Sequence, residues 1–150
     1  MQLYILRHGE AERNATGDRQ RQLTERGKAE VNAVVQQHAP ALSRVDGIFA
    51  SPFDRAQQTA AVASEILGGI AVQTLNVITP NHTPDEVLPF LCQQDSTSTL
   101  LLVSHQPLVS ELIAELCDLP VHSLPMPTAA LASIILDPVA RGMGQLQFIY

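Results

Sequence analysis

The sequence predicts an α/β protein, a three-layer α/β/α sandwich with a mainly parallel central sheet and an antiparallel edge strand. Three observations predict it. Short apolar runs alternate with longer stretches of helical spacing for most of the length. The helical stretches are bounded by capping residues, prolines and glycines. The last two apolar runs follow one another with no helix between them, as an antiparallel edge requires.

Gln2–Arg7 reads as a buried strand, with Leu3, Tyr4, Ile5 and Leu6 in a row. Residues 8–23 are polar, contain Gly9, Asn14, Gly17 and Asp18, and read as a loop. Thr24 caps a helix to about His38, with Ala29, Val31, Ala33, Val34 and Val35 on its apolar positions, and Pro40 stops it. Gly47–Ala50 is a second strand. Ser51 is expected as an N-cap, Pro52 at the first helical position and Asp54 in the first turn of a helix to Leu67, which Gly68 and Gly69 end. Ile70–Leu75 is a third strand. Thr83 and Glu86 have capping-box spacing and open a helix ending near Gln94. Thr99–Val103 is a strand and Pro107–Cys117 a helix. Leu131–Leu136 and Leu146–Tyr150 form a hairpin across a loop with Pro138, Gly142 and Gly144.

The 150 residues fit one domain, 1–150, with no linker, repeat or low-complexity tract. With 45% apolar and 16% charged residues, the composition excludes a disordered chain, a coiled coil and a collagen-like fibre. No apolar run reaches the ~18 residues of a membrane span. The opening MQLYILRHGE meets charge too early for a signal-peptide core. Cys92 and Cys117 are too few for a disulfide framework or zinc site; they read as packing residues on apolar helix positions, and a reducing cytoplasm is the expected compartment.

The net charge of −6 argues against a nucleic-acid surface. Its distribution is uneven: residues 1–28 carry a net +2 and the remainder −8. An acidic chain that gathers its cations at one end is either holding an anion there or displaying a solvated basic loop.

Ligands of open α/β sheets sit beyond the carboxyl ends of the strands. After the first strand come Arg7, His8 and Gly9; after the second, Ser51 and, one turn on, Arg55; after the fourth, Ser104 and His105. A parallel sheet brings these to one edge. Arginine forks match phosphate oxygens. A neutral imidazole is a competent nucleophile toward phosphorus, and a second histidine can stabilise the transferring group. Such a cage supplies the charge that a metal often supplies, so no metal or other cofactor is expected.

LRHGE (6–10), SPFDRAQQT (51–59) and LLVSHQPLV (101–109) together resemble the histidine phosphatase, or phosphoglycerate-mutase-like, superfamily, over essentially the whole chain. The short length, R-Q-L-T at 21–24 and S-H-Q-P-L-V at 104–109 are most similar to its branch of small bacterial phosphohistidine phosphatases. The resemblance implies a cofactor-independent hydrolase in which His8 is transiently phosphorylated. Arg7, Arg55 and His105 would hold the phosphoryl group, and Arg21 would add a further phosphate contact. It implies a histidine phosphotransfer domain or phosphocarrier of bacterial signalling as partner, and a monomeric enzyme without nucleic-acid or membrane partners.

Many members of that superfamily carry a glutamate, the acid for the leaving oxygen, between the second arginine and the second histidine. Here that stretch, NVITPNHTPDEV (76–87), offers none: Glu86 is explained by the capping box, Asp85 by the helix dipole, and His82 is a weak substitute. A phosphohistidine substrate fits the gap, because its imidazole leaving group, with a reference pKa near ~6.5, is far less basic than an alkoxide. The elements between Arg55 and His105 leave no chain for a lid insertion, which suits a phosphoryl group displayed on another protein. Two alternatives are a small-molecule phosphomonoesterase of the same superfamily and a phosphoprotein-binding module without turnover; the presence of both histidines and both arginines speaks against the latter. Ser51 is read as a helix cap, Ser104 as a hydroxyl orienting backbone, Glu10 and Glu12 as local field or solvated surface, and His38 and His122 as plain polar residues.

Overall fold

Strand β1 (Gln2–Arg7) carries four apolar side chains without polar alternation. Leu3 and Ile5 project to one face and Tyr4 and Leu6 to the other, so the strand needs cover on both sides. The computed structural model describes residues 1–13 and 16–150, and in it that cover is present. Asn14, part of the expected loop, lies outside the described residues.

The other strands are β2 (Gly47–Ala50), β3 (Val72–Thr74), β4 (Thr99–Ser104), β5 (Leu131–Leu136) and β6 (Gly144–Ile149). They form one sheet in the order β3-β2-β4-β1-β5-β6. The four strands from β3 to β1 run parallel; β5 pairs antiparallel with β1, and β6 antiparallel with β5. The α/β sandwich is therefore as expected, with the antiparallel edge made of the final hairpin.

Helices α1 (Glu25–Gln37) and α3 (Asp54–Ile66) cover one face, and α4 (Pro84–Cys92) and α5 (Leu108–Cys117) the other. Ala56, Ala60 and Ala63 recur at helical spacing on the buried side of α3. Their small side chains let this helix lie close to β2 and β4, which brings Arg55 and Thr59 down to the strand ends.

Local signals were followed closely at some ends. Thr24 Oγ1 accepts the Gly27 amide at 3.0 Å and caps α1, and Thr83 and Glu86 form the expected capping box on α4. Elsewhere tertiary contacts override them. Helix α1 does end at Gln37, with His38 as its C-cap, as expected, but a separate short helix α2 (Ala39–Leu42) follows, with Pro40 in its first turn, where its missing N–H costs nothing. Ser51 is not the cap of α3, which begins two residues later after Phe53. Helix α5 starts at Leu108, after Pro107, and β3 is shorter at both ends than expected. The loop after β1 contains a 3-10 turn at Asp18–Gln20 and a bridge between Ala11 and Leu23. Cys117 packs against the core as expected, but Cys92 is exposed, because α4 turns its Val87 and Leu91 side inward.

Candidate active site

The register decides which loops meet. Arg7 lies opposite Ser104 and Ala50 opposite Val103, so β2, β4 and β1, neighbours in the sheet, end level with one another. The next residues are Ser51, His105 and His8. His105 and His8 line a hollow of about 540 Å³ together with Arg7, Arg21 and Arg55. All five residues singled out from the sequence are thus brought together.

His8 is held by its backbone on both sides: its amide donates to Ser104 O at 3.0 Å, and its carbonyl accepts the Ala129 amide at 3.1 Å. Its Nδ1 lies 2.7 Å from Gly9 O. A carbonyl only accepts, so Nδ1 carries the proton and Nε2 presents a lone pair. Arg55 Nε donates to that Nε2 at 3.2 Å. Burial, with the charges of Arg55, Arg7 and Arg21 adding to it and the Gly9 hydrogen bond opposing it, lowers the ring's pKa to about 4. The ring is therefore neutral near pH 7.

His105 is almost wholly buried, its ring centroid 5.0 Å from that of His8. Its Nε2 lies 2.7 Å from Ser51 Oγ, while Nδ1 has no hydrogen-bond partner among the described residues. Burial, with His8 and Arg55 as further causes, pushes its pKa down to about 2.

Arg55 is 3% exposed, so it is no surface arginine. Its Nη1 donates to Asp18 O at 2.7 Å and its Nη2 to Asp18 Oδ2 at 3.2 Å. Arg21 Nη1 donates to Asp18 Oδ1 at 3.0 Å, so one carboxylate spans both guanidinium groups. Burial opposes ionisation of Asp18, but its bonds to Arg21 and Arg55 outweigh this and hold its pKa below the ordinary value. Arg7 Nη1 donates to Met126 O at 2.7 Å, and its buried Nε is unpartnered among the described residues. Burial and the nearby Arg55 charge lower the pKa of Arg7.

Several contributors were not legible in advance. Asp18 had no local signal linking it to Arg55. Thr59 Oγ1 accepts the Gly9 amide at 3.2 Å and donates to Arg55 O at 2.7 Å, tying the loop after β1 to α3. Gly27 lets α1 touch that loop: a Cβ there would stand 2.1 Å from Glu10 O. Ser104 does orient backbone, donating to Ile78 O at 2.8 Å.

Of residues 76–87 only Pro80 lines the hollow. Glu86 accepts the Thr83 amide, Asp85 pairs with Arg141, and His82 Nδ1 meets Thr79 Oγ1 at 2.6 Å. The carboxylates that do line it are Glu10 and Asp18, both from the loop after β1. Among the described residues no group of three His, Cys, Asp or Glu side chains is placed to hold a metal ion, and no helix is long and apolar enough to cross a membrane.

The geometry has relatives. A family model described as the histidine phosphatase superfamily (branch 1) matches residues 3–78. The phosphohistidine phosphatase SixA of Escherichia coli (strain K12) is 33% identical over 146 residues, 95% of this chain and 89% of that protein. A SixA homolog from Haemophilus influenzae is 32% identical over 126 residues, 77% of either chain. A solved structure of the protein histidine phosphatase SixA complexed with tungstate superposes with a TM-score of 0.89 at 30% identity, covering 99% of this chain and 96% of that one.

Proposed function

The chain belongs to the histidine phosphatase superfamily, and on that premise we propose that it is a metal-independent phosphohistidine phosphatase with His8 as its nucleophile. One observation carries the reading: a neutral imidazole whose Nδ1–H is anchored on Gly9 O and whose Nε2 lone pair faces a hollow lined by Arg7, Arg13, Arg21 and Arg55.

In the first step Nε2 of His8 attacks phosphorus. The P–N bond of the substrate breaks, and its electron pair leaves with the substrate imidazole. In the second step water attacks phosphorus, the bond to Nε2 breaks, and inorganic phosphate departs with His8 regenerated. Positive charge builds on the His8 ring while it carries the phosphoryl group, and Gly9 O, accepting from Nδ1, stabilises it. Arg7 and Arg55 hold the equatorial oxygens, His105 adds a further contact, and Arg21 meets the anion from the rim. The relative captured with tungstate, a tetrahedral oxyanion, supports an anion-binding role for the same fold.

The substrate is a phosphoryl group on another protein's histidine, in a phosphotransfer domain or phosphocarrier. Two features support this. Between Arg55 and His105 the chain builds α3, β3, α4 and β4, with no further helix or strand inserted among the described residues. The stretch 76–87 places no acid in it, which an imidazole leaving group tolerates. The cage is drawn from one chain, so a monomer suffices.

The test is a comparison of a histidine-phosphorylated carrier protein, a phosphoserine peptide and a sugar phosphate under one set of conditions. A kcat/KM far higher for the carrier is expected. Comparable turnover of the ester substrates would overturn the substrate assignment.

A further inference from the structure

The Ser51 hydroxyl carries a signal that no helix cap explains. Ser51 is fully buried. Its Oγ has two neighbours among the described residues: the Phe53 amide, which donates to it at 3.4 Å, and His105 Nε2 at 2.7 Å. Its hydroxyl proton therefore has a single acceptor within reach, that Nε2. If Nε2 carried the ring proton instead, two donors would face each other or the hydroxyl hydrogen would be buried without a partner, at the desolvation cost of an unmade hydrogen bond.

We propose that Ser51 is a positioning residue that fixes His105 as its Nδ1–H tautomer, so that the second histidine donates a hydrogen bond to the transferring phosphoryl group. With Nε2 taken by Ser51, Nδ1 is the one ring nitrogen left for an oxygen of the substrate. It is buried and unpartnered among the described residues, beside a ring whose Nε2 faces the same hollow. A proton on Nδ1 makes His105 a donor to an anion; a lone pair there would repel it. The strong preference of this buried ring for the neutral form agrees, since a tautomer has to be chosen only when the ring is neutral. The two rings are then complementary. Gly9 O, accepting from Nδ1, selects the Nδ1–H tautomer of His8 and leaves the Nε2 lone pair for attack, while the Ser51 hydroxyl, donating to Nε2, selects the Nδ1–H tautomer of His105 and makes it a donor.

The assignment rests on the phosphatase reading, and the experiment separates the two. Long-range proton–nitrogen NMR spectra of the histidine rings are recorded without substrate on the wild type and on Ser51→Ala. The wild type is expected to show His105 with a protonated Nδ1 and an acceptor-type Nε2. Ser51→Ala should shift it toward the Nε2–H form favoured by free imidazole. With a histidine-phosphorylated carrier as substrate, Ser51→Ala should lower kcat about 10- to 100-fold with KM nearly unchanged, as expected for a lost orienting partner. Ser51→Thr, which keeps the hydroxyl, should recover most of that loss. A wild-type spectrum with a protonated His105 Nε2, or a folded Ser51→Ala with wild-type kcat, would overturn the assignment. The wild-type spectrum alone decides if the variant does not fold.

Discussion

Arg55 Nε donates to His8 Nε2 across 3.2 Å, joining the first turn of α3 to the end of a strand two places away in the sheet. The contact fixes where the lone pair points and places a guanidinium against it. The same fork holds Asp18 through both of its remaining nitrogens, so its plane is set from two sides. Lysine has one ammonium and no plane. Arg55→Lys is expected to reduce kcat about 10²- to 10³-fold, the usual cost of one preorganised donor. Steady-state kinetics on a variant shown to be folded checks it; a loss of less than about threefold would say that charge alone suffices.

The histidine pKa values set two pH dependences. With His8 lowered to about 4, the acid limb of kcat/KM should fall near pH 4 to 5, well below the ordinary histidine range. Stability moves the same way. The unfolded chain takes up protons on these rings near pH ~6.5, while the folded chain resists until about 4 for His8 and about 2 for His105. The unfolded state thus binds more protons as pH falls below ~6.5, so the stability present above that pH is lost on acidification. Urea midpoints at pH 7 and pH 5 should drop in that order, and His8→Asn should flatten the difference.

Gly27 lies outside the hollow yet shapes it. Alanine there gains about 1 kcal/mol of helix propensity. Its Cβ, however, would sit 2.1 Å from Glu10 O and 2.9 Å from Glu10 C, and backbone cannot swing aside as a side-chain tip can. Forced overpacking costs about 1–3 kcal/mol, so the clash prevails. Gly27→Ala is expected to lower the Tm and to reduce kcat by displacing the turn that anchors His8. An unchanged Tm would show that α1 can slide away.

Arg21 stands at the rim, its side chain 30% exposed. Its contribution should be to capture more than to chemistry. Arg21→Ala is expected to raise KM for a phosphorylated carrier about 10-fold with a smaller change in kcat, and to weaken the dependence of kcat/KM on salt. A dominant loss of kcat would instead place Arg21 on the transferring group itself.

Chelation tests the charge balance of the cage. Four guanidinium groups, those of Arg7, Arg13, Arg21 and Arg55, line the hollow, so treatment with EDTA should leave kcat within error of the untreated enzyme. Activity restored only by an added divalent ion would contradict the proposed mechanism.

What could be read from the sequence follows the range of each signal. β1 and β4 were legible because their apolar rows need no partner to be recognised, and the α4 capping box because its two halves lie three residues apart. Arg7, His8, Arg55 and His105 were legible because strand-end positions converge in a parallel sheet whatever the loops do. Ser51 was misread for the same reason that made it conspicuous. Ser-Pro is a sound local cap signal, and the partner that overrides it, His105, is 54 residues away. Asp18 and Arg55 are 37 residues apart, and nothing near either one announces the other. The short helix α2 after His38 was not anticipated, and Cys92 was misplaced, by short-range reasoning about elements whose final path depends on packing against the sheet.

The most direct measurement is to chase the phosphoryl group itself. A carrier protein labelled with radioactive phosphate on histidine is mixed briefly with the wild type and with His8→Ala, quenched in alkali, and mapped by peptide. The wild type should carry transient, acid-labile label on the peptide containing His8, and His8→Ala should neither acquire label nor release phosphate. Release of phosphate by His8→Ala at the wild-type rate, or label fixed on any other residue, would contradict the account.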